Sequence, residues 1–436
     1  MRKPLVIFFV LFVFFGVVPF TTAFSSSDYI VVFSNEDDLP KYYQDVIYLS
    51  GGQIRKEYPR IGAVKVNSDD PDFLAKVSSF IGVESAGIPN VIVPEDIDLL
   101  PVEAVNISSL DSGGHDMYEL FQWDIKQVTG NGESWKLNEG MGKTYEGQDI
   151  VIAVVDTGID YTHPDLEGNY LYGHSFVEGE TDPIDRSGHG TMVAGMIAAN
   201  GRVLGVGPNL KVASYKVFNH ENEATSFEIA EAVVHAADAN VDVINLSLGG
   251  YIWVKNPKQD VQDNMAEMKL VDRAIKYAIK KGVVVVNSAG NEGLDTSSPA
   301  KLTKALHGEN ARGATFRIPN NEKMIIVSVG TINEKKATYS NYGKAIDVMA
   351  PGGDTGGRCV STSLDGGYAS GVGTSLAVPK VSALAGVIIA KHGKDRLKPV
   401  EVERLLLRSA KDVLQRGIDK ESGYGLIDAV KALNQR

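Results

Sequence analysis

The chain has 436 residues, 43% of them hydrophobic and 22% charged, with 45 glycines and a net charge of −12. This balance excludes collagen-like, coiled-coil and disordered classes and leaves length for two or three domains around a sizeable core. The acidic charge argues against nucleic acid as a partner, because phosphate binding needs a basic face.

Met1, Arg2 and Lys3 form a basic start before an almost wholly apolar run from Leu5 to Phe20, and Thr21-Thr22-Ala23 offers a small-residue cleavage site. Residues 1–23 therefore read as an export signal cut after Ala23, the alternative being an uncleaved anchor that tethers the protein to a membrane. No later segment reads as a span. Cys359 is the only cysteine, so no intrachain disulfide can form, and an exported chain of this kind fits a bacterial surface or medium. Cys359 itself stands in a Gly-rich stretch read as a loop with no adjacent helix start, a poor setting for a reactive thiol.

"YIVVF" (Tyr29 to Phe33) reads as a buried strand, Leu39 to Tyr48 as a polar helix, and "GAVKV" (Gly62 to Val66) as an alternating strand. Asp70 to Phe80 is a helix opening on Asp-Asp-Pro, and "NVIVP" (Asn90 to Pro94) closes a small α+β domain. Residues 24–112 contain 15 acidic and 6 basic side chains, so most of the negative charge sits there. From Glu95 to about Gly114 the chain is loop-like, with Pro101, Ser108-Ser109 and Gly113-Gly114, a natural boundary before a second domain at residues 113–436.

In that domain apolar strands alternate with helices. The strands are "DIVIAVVDTG" from Asp149, "KVASYKVF" from Lys211, "VDVINLSLGG" from Val241, "GVVVVNSAGN" from Gly282 and "MIIVSVGTI" from Met324. Helices are expected over Gly190–Ala199, Ser226–Ala239, Met265–Lys281 and Ser375–Lys391. Continuous Val/Ile runs separated by helices predict an α/β three-layer sandwich, a mainly parallel sheet covered on both faces.

In such a sheet functional residues collect at the carboxyl ends of the strands. Asp156 stands there after "VIAVV", and "SGHGTMVAG" puts His189 between two glycines at a helix start. Ser375 opens the last apolar helix with Pro379 four residues on. Proline is tolerated in a first helical turn, so that helix is expected to begin close to Ser375. The serine then reads either as a helix cap or as a nucleophile. Serine chemistry needs a histidine base and a carboxylate that holds the imidazole in one tautomer, the roles His189 and Asp156 would take. Asn291 in "SAGNEG" lies past another strand end, where its amide and the Ser375 backbone N–H would receive an oxyanion.

These motifs, in the order Asp, His, Asn, Ser, resemble the subtilisin family of serine proteases: "VVDTGID", "GHGTMVAG", "SAGNEG" and "GTSLAVP", together with "THPDL", "YSNYG", "VMAPGG" and "GYGLIDAVKAL". The likeness runs from about Gln122-Trp123 to the end of the chain. It implies a subtilisin-like fold and a secreted serine endopeptidase with Asp156, His189 and Ser375 as its triad and Asn291 in the oxyanion hole. It also implies that Ser247, Leu248 and Gly249 face Ser288, Ala289 and Gly290 across a specificity pocket, with the first edge pairing to an extended peptide. Arg317 aligns near the floor of that pocket or faces outward, and Glu292 lies near its rim. Residues 24–112 resemble the family's propeptide, an inhibitor and folding assistant, against the alternative of a permanent accessory domain. The insertion Tyr251–Asp263 and the modest size resemble lantibiotic leader peptidases, one alternative function. A catalytically silent, peptide-binding scaffold is another, disfavoured by retention of all four catalytic-site residues.

The expected partners are peptide or protein substrates and the chain's own propeptide, with a monomer as the working form. The chemistry needs no cofactor. Asp165 matches one ligand of the family's calcium site, but the loop that supplies the others is short. The set His163, Asp165 and His189 follows no zinc spacing. Family members usually carry Ser at Val378, Met at Leu376 and His at Met192, changes that remove no catalytic atom. "LDSGG" (Leu110 to Gly114) mimics a chymotrypsin-like nucleophile segment, yet the first histidine is His115, and Ala377 rules out a Gly-x-Ser-x-Gly elbow.

Overall fold

The computed structural model describes residues 26–94, 97, 99–102, 116–137, 139–249, 252–255, 265–307, 315–317 and 324–435. The export signal, "LDSGG" and most of the boundary segment lie outside the described residues.

The small domain runs β1 (Ser27–Phe33), α1 (Tyr43–Leu49), β2 (Gln53–Tyr58), β3 (Ala63–Ser68), α2 (Phe73–Ser78) and β4 (Val83–Gly87). Its sheet is antiparallel in the order β2-β3-β1-β4, a split β-α-β arrangement. Strand periodicity divides β1 between two cores. Val31 and Phe33 pack with Val46 and Ile47 of α1 and Phe73 and Val77 of α2, whereas Ile30 and Val32 face the large domain. Two expectations change here. The strand β2 has no apolar face to announce it, four of its six residues being exposed. "NVIVP" does not close this sheet: β4 does, and Val91–Ile92 pairs antiparallel with Ala224–Thr225 of the large domain.

The large domain is a seven-stranded, wholly parallel sheet. It contains β5 (Val151–Asp156), β6 (Tyr170–Ser175), β7 (Lys211–Lys216), β8 (Val243–Leu246), β9 (Val284–Ser288), β10 (Ile325–Gly330) and β11 (Val348–Pro351). Their order is β11-β10-β9-β8-β5-β7-β6. Side chains alternate between the faces. Ile152, Val154, Val243, Val286 and Val327 point to one core with α3 (His189–Ala198) and α6 (Thr374–His392). Val151, Ala153, Val155, Ile244 and Val285 point to the other, with α4 (Ser226–Asp238) and α5 (Met265–Lys280). The edge strands β6 and β11 were not foreseen. β6, "YLYGHS", has no buried residue and so lacks the apolar run of an inner strand.

Two further expectations are corrected. The helix α6 is long and apolar enough to cross a membrane, yet it is almost wholly buried inside the domain, which is why its apolarity runs all round. Cys359 lies in a strand, β12 (Cys359–Thr362), not a loop; β12 pairs with β13 (Tyr368–Gly371). Its burial pushes the thiol well above its ordinary pKa, so it is inert.

The small domain sits on α4 and α5. Ile30, Val32, Tyr58 and Ile61 join Phe227, Leu270, Ala274 and their neighbours in one cluster, and the Tyr58 ring stacks on Phe227 at 5.8 Å. Ion pairs Lys56–Glu231 at 2.5 Å, Arg60–Asp238 at 3.4 Å and Lys280–Asp37 at 2.8 Å surround it, and Glu84 meets both Lys269 and Arg273. Ile252–Lys255, the start of the expected insertion, pairs antiparallel with Thr315–Arg317. The Arg317 side chain lies outside the described part of that strand.

Beside β11, burial pushes the Asp347 carboxyl up to about 6, reinforced by the Glu403 charge and opposed by the bond it accepts from the Ile326 N–H. Because the folded state holds this proton more tightly, the contribution is full below the unfolded pKa and lost as pH rises through about 6. Asp347→Asn, which does not ionise, should therefore gain melting temperature over the wild type on going from about pH 4 to about pH 7.5. A difference constant with pH, measured by calorimetry, would contradict the assignment.

Candidate active site

The strands β5 and β8 are neighbours, and the chain leaves them in opposite directions, to β7 and β6 on one side and to β9, β10 and β11 on the other. A crevice opens at the carboxyl ends where the order reverses. Asp156 is the last residue of β5, Ser247 follows β8, Ser288 ends β9, and α3 and α6 start beside them.

His189 Nδ1 lies 2.7 Å from Asp156 Oδ1, which also accepts the Thr157 N–H at 2.7 Å; both side chains are buried. A carboxylate can only accept, so Nδ1 carries the hydrogen and Nε2 keeps its lone pair. This approach requires glycine next to the histidine. A Cβ on Gly190 would stand 2.1 Å from the Gly158 carbonyl oxygen and 3.1 Å from Asp156 Cβ. On the other side, Gly188 caps α3 with φ at +96°, a conformation that favours glycine.

The turn is held by a residue that the sequence reading missed. Asp185, buried, accepts from Thr157 Oγ1 at 2.9 Å, Ser187 N at 2.9 Å and Gly188 N at 3.0 Å through one oxygen. Its other oxygen accepts from Thr191 N at 2.9 Å and Thr191 Oγ1 at 2.7 Å. A carboxylate just ahead of a helix satisfies its orphan amides and complements its dipole, a sequence signal that "DRSGHG" carries.

The helix α6 begins at Thr374, with Gly373 as N-cap and no side-chain cap bond. Ser375 is therefore inside the first turn rather than capping it, and its hydroxyl donates to the Ser247 carbonyl at 3.3 Å. Pro379 is not a first-turn residue as expected but sits within the helix. It has no N–H to give to the carbonyl four residues back, which is that of Ser375. Ser247 Oγ supplies the missing donor at 3.0 Å. Asn245 Nδ2 donates to Ser247 Oγ at 2.9 Å, and Ser382 Oγ to Asn245 Oδ1 at 2.9 Å. This buried chain of side chains fastens the end of β8 to α6. Nothing local in "VINLSL" marks Asn245 for that part, since its partners come from another element.

Asn291 Oδ1 accepts both the Thr374 N–H at 2.9 Å and the Thr374 hydroxyl at 2.8 Å. That fixes the amide orientation and turns Nδ2 toward Gly373, where it lies 3.6 Å from the place of a Cβ. Ser247, Leu248 and Gly249 lie opposite Ser288, Ala289 and Gly290 at the ends of paired strands, bridged by Ser288 Oγ to the Leu248 carbonyl at 3.2 Å. Asn341, also missed, supports the second edge. Its N–H reaches the Gly290 carbonyl at 2.9 Å, and its Nδ2 reaches the Ala289 carbonyl at 2.9 Å and Glu292 at 2.7 Å.

Beneath α6, Lys380 pairs with Asp124 at 2.8 Å, both wholly buried, and donates to the Leu376 carbonyl at 2.8 Å. His163 belongs to the scaffold: Nδ1 accepts the Asp165 N–H at 3.0 Å, so Nε2 donates to the Gly367 carbonyl at 2.9 Å. Asp165 Oδ2 accepts the Val203 N–H at 2.9 Å and the Tyr368 hydroxyl at 3.2 Å. The Arg202 guanidinium stands over the Tyr368 ring within electrostatic reach of Asp165 and binds Asp116 at 2.9 and 2.7 Å. Donors and a fixed cation surround this carboxylate, an environment that does not fit a calcium ion. Among the described residues no group of three His, Cys, Asp or Glu could hold a metal.

A model of the subtilase family matches residues 147–425. A thermophilic serine proteinase of Bacillus sp. strain AK1 is 32% identical over 320 residues, 72% of this chain and 68% of that protein. The epidermin leader peptide-processing serine protease EpiP of Staphylococcus epidermidis is 30% identical over 369 residues, 76% of this chain and 77% of its own. The crystal structure of EpiP from Staphylococcus aureus matches with a TM-score of 0.77 at 25% identity, covering 94% of this chain and 99% of that one.

Asp185→Ala would leave buried donors of the His189 turn without an acceptor. It should lower stability by about 2–4 kcal/mol, read from denaturant unfolding in a Ser375→Ala background. A change under about 0.5 kcal/mol, the range of a surface substitution, would show that the turn holds without it.

Proposed function

The chain belongs to the subtilase family of serine endopeptidases, and we propose on that premise that it is an exported zymogen working through Asp156, His189 and Ser375. Residues 1–23 direct export, residues 24–112 are the propeptide, and residues 113–436 form the catalytic domain, active as a monomer. The observation that supports this reading is that the chain's own residues ahead of the catalytic domain pair with two parts of it. Val91–Ile92 pairs on one side with Ala224–Thr225, and the Ile97 carbonyl accepts the Val372 N–H at 3.1 Å on the other.

The chemistry follows from the geometry. Ser375 turns its hydroxyl from the Ser247 carbonyl to His189 Nε2, which takes the proton as Oγ attacks the substrate carbonyl. Asp156 holds the tautomer and stabilises the imidazolium. The oxyanion receives the Ser375 backbone N–H, at the positive end of α6, and Asn291 Nδ2. His189 then protonates the leaving amine, and water releases the acyl group by the same steps in reverse. Substrate backbone pairs along Ser247–Gly249, with the first side chain entering between that edge and Ser288–Gly290.

A narrower reading, a leader peptidase acting on one precursor peptide, is favoured by the likeness to EpiP, which extends over the small domain as well as the catalytic one. Profiling the mature enzyme on a peptide library separates the two readings: one dominant sequence supports the leader peptidase, and broad cleavage supports a general protease.

Ser375→Ala should fold but keep the segment from about Phe24, whereas the wild type should cut itself between Glu95 and Met117. Normal maturation of the variant, in a host lacking other extracellular proteases, would remove Ser375 from the nucleophile role. Asn291→Ala should lower kcat about 10²–10³-fold with little change in KM, the loss found when one such donor is removed from a subtilisin. An unchanged kcat would move the oxyanion donor elsewhere.

A further inference from the structure

Thr157, the residue after Asp156, ties three charged side chains together. Its N–H donates to Asp156 Oδ1 at 2.7 Å and its hydroxyl to Asp185 Oδ1 at 2.9 Å. The same hydroxyl oxygen accepts the Gly190 N–H at 2.9 Å, beside His189. The Thr157 carbonyl accepts from the Lys216 ammonium at 2.8 Å. Lys216 ends β7 and is the register partner of Asp156. Strand periodicity therefore puts both side chains on the sheet face that carries α3. Lys216 is only 2% exposed.

A neutral donor would satisfy the Thr157 carbonyl, whereas an ammonium must also be stripped of water, which is costly. That burial lowers the Lys216 pKa, opposed by the charges of Glu180, Asp185 and Asp156 and reinforced by Arg186. The Glu180 carboxylate stands 3.9 Å away, too far for a hydrogen bond. Asp160, a further carboxylate beside α3, is turned to Thr162 and the Asp365 N–H. Inside the fold, Lys216 thus answers the pair Asp156 and Asp185.

That pair sets a difficulty for the base. One buried carboxylate bonds His189 Nδ1, and the other holds the turn just before it. Negative charge favours the imidazolium, yet His189 can take the serine proton only while neutral. A fixed cation within electrostatic reach of both carboxylates offsets their field.

We propose that Lys216 is a positioning residue for the triad. Its ammonium holds the Asp156–Thr157 turn and offsets the two carboxylates, so that His189 stays neutral further into acid. The proposal rests on the endopeptidase reading and assigns to Lys216 the acid limit of the reaction.

The test titrates His189 by NMR in full-length, ring-labelled Ser375→Ala, with His189→Ala to identify its signal. Lys216→Gln keeps a donor and loses the charge, so His189 should titrate about one pH unit higher. Lys216→Arg keeps the charge and should titrate with the parent, and Asp185→Asn should titrate lower. If Lys216→Gln does not fold, the comparison is made on Asp185→Asn, where less charge is left uncompensated; the double variant must again titrate above the single. The functional readout is the rate of self-processing against pH with Ser375 restored. Its acid limb should move up by about the same amount in Lys216→Gln and return in Lys216→Arg. A His189 midpoint unmoved or lowered by loss of the Lys216 charge overturns the proposal and leaves the protease reading standing. No self-processing by the wild type at any pH overturns both.

Discussion

A proline without an N–H shapes the centre of this molecule. Pro379 has no N–H to give the Ser375 carbonyl inside α6, Ser375 is fully buried, and a buried carbonyl without a donor would be costly. Ser247 Oγ answers it from the end of β8. That single bond makes the start of the helix and the end of the strand one rigid piece, and Asn245 and Ser382 lock it from behind. The same Ser247 then accepts the Ser375 hydroxyl through its carbonyl. Position of the serine, shape of the first substrate edge and register of α6 against the sheet are thus one constraint, not three.

The parallel sheet supplies the rest. Its order reverses between β5 and β8, so the ends of two adjacent strands splay their following loops apart. Asp156 and Ser247 face each other across the gap, and α3 and α6 bring His189 and Ser375 in from one face. Each helix start is secured by a side chain from elsewhere: Asp185 holds the turn before α3, and Asn291 holds Thr374 at the start of α6. Polar satisfaction and catalytic placement are carried by the same atoms.

How much of this could be read in advance follows from where each residue finds its partners. The inner strands were legible because burial on both faces leaves continuous Val and Ile runs. The edge strand β6 and the exposed β2 were not, since their sequences carry no such run. Asp156, His189, Asn291 and Ser375 stood out because glycines and strand ends frame them. Asn245 did not, because its partners lie far along the chain, and Asn341 was quoted within "YSNYG" without a role; no local pattern shows that a polar residue will be buried. "NVIVP" looked like part of the small domain because it has the composition of a strand. Composition names the element and not its partner, and its partner turned out to be Ala224–Thr225.

The Lys380–Asp124 pair has a consequence for how far the front of the catalytic domain can be cut back. Asp124 lies near the front of the catalytic domain, in the helix Trp123–Thr129, while Lys380 sits under the serine. Removing one partner of a buried ion pair strands the other charge and costs about 3–5 kcal/mol. Loss of Asp116 releases Arg202, and erosion past Asp124 would leave an ammonium stranded beneath the nucleophile. Trimming of the catalytic domain from its front would therefore meet a stop at Asp124, set by a charge buried some 250 positions away in the chain.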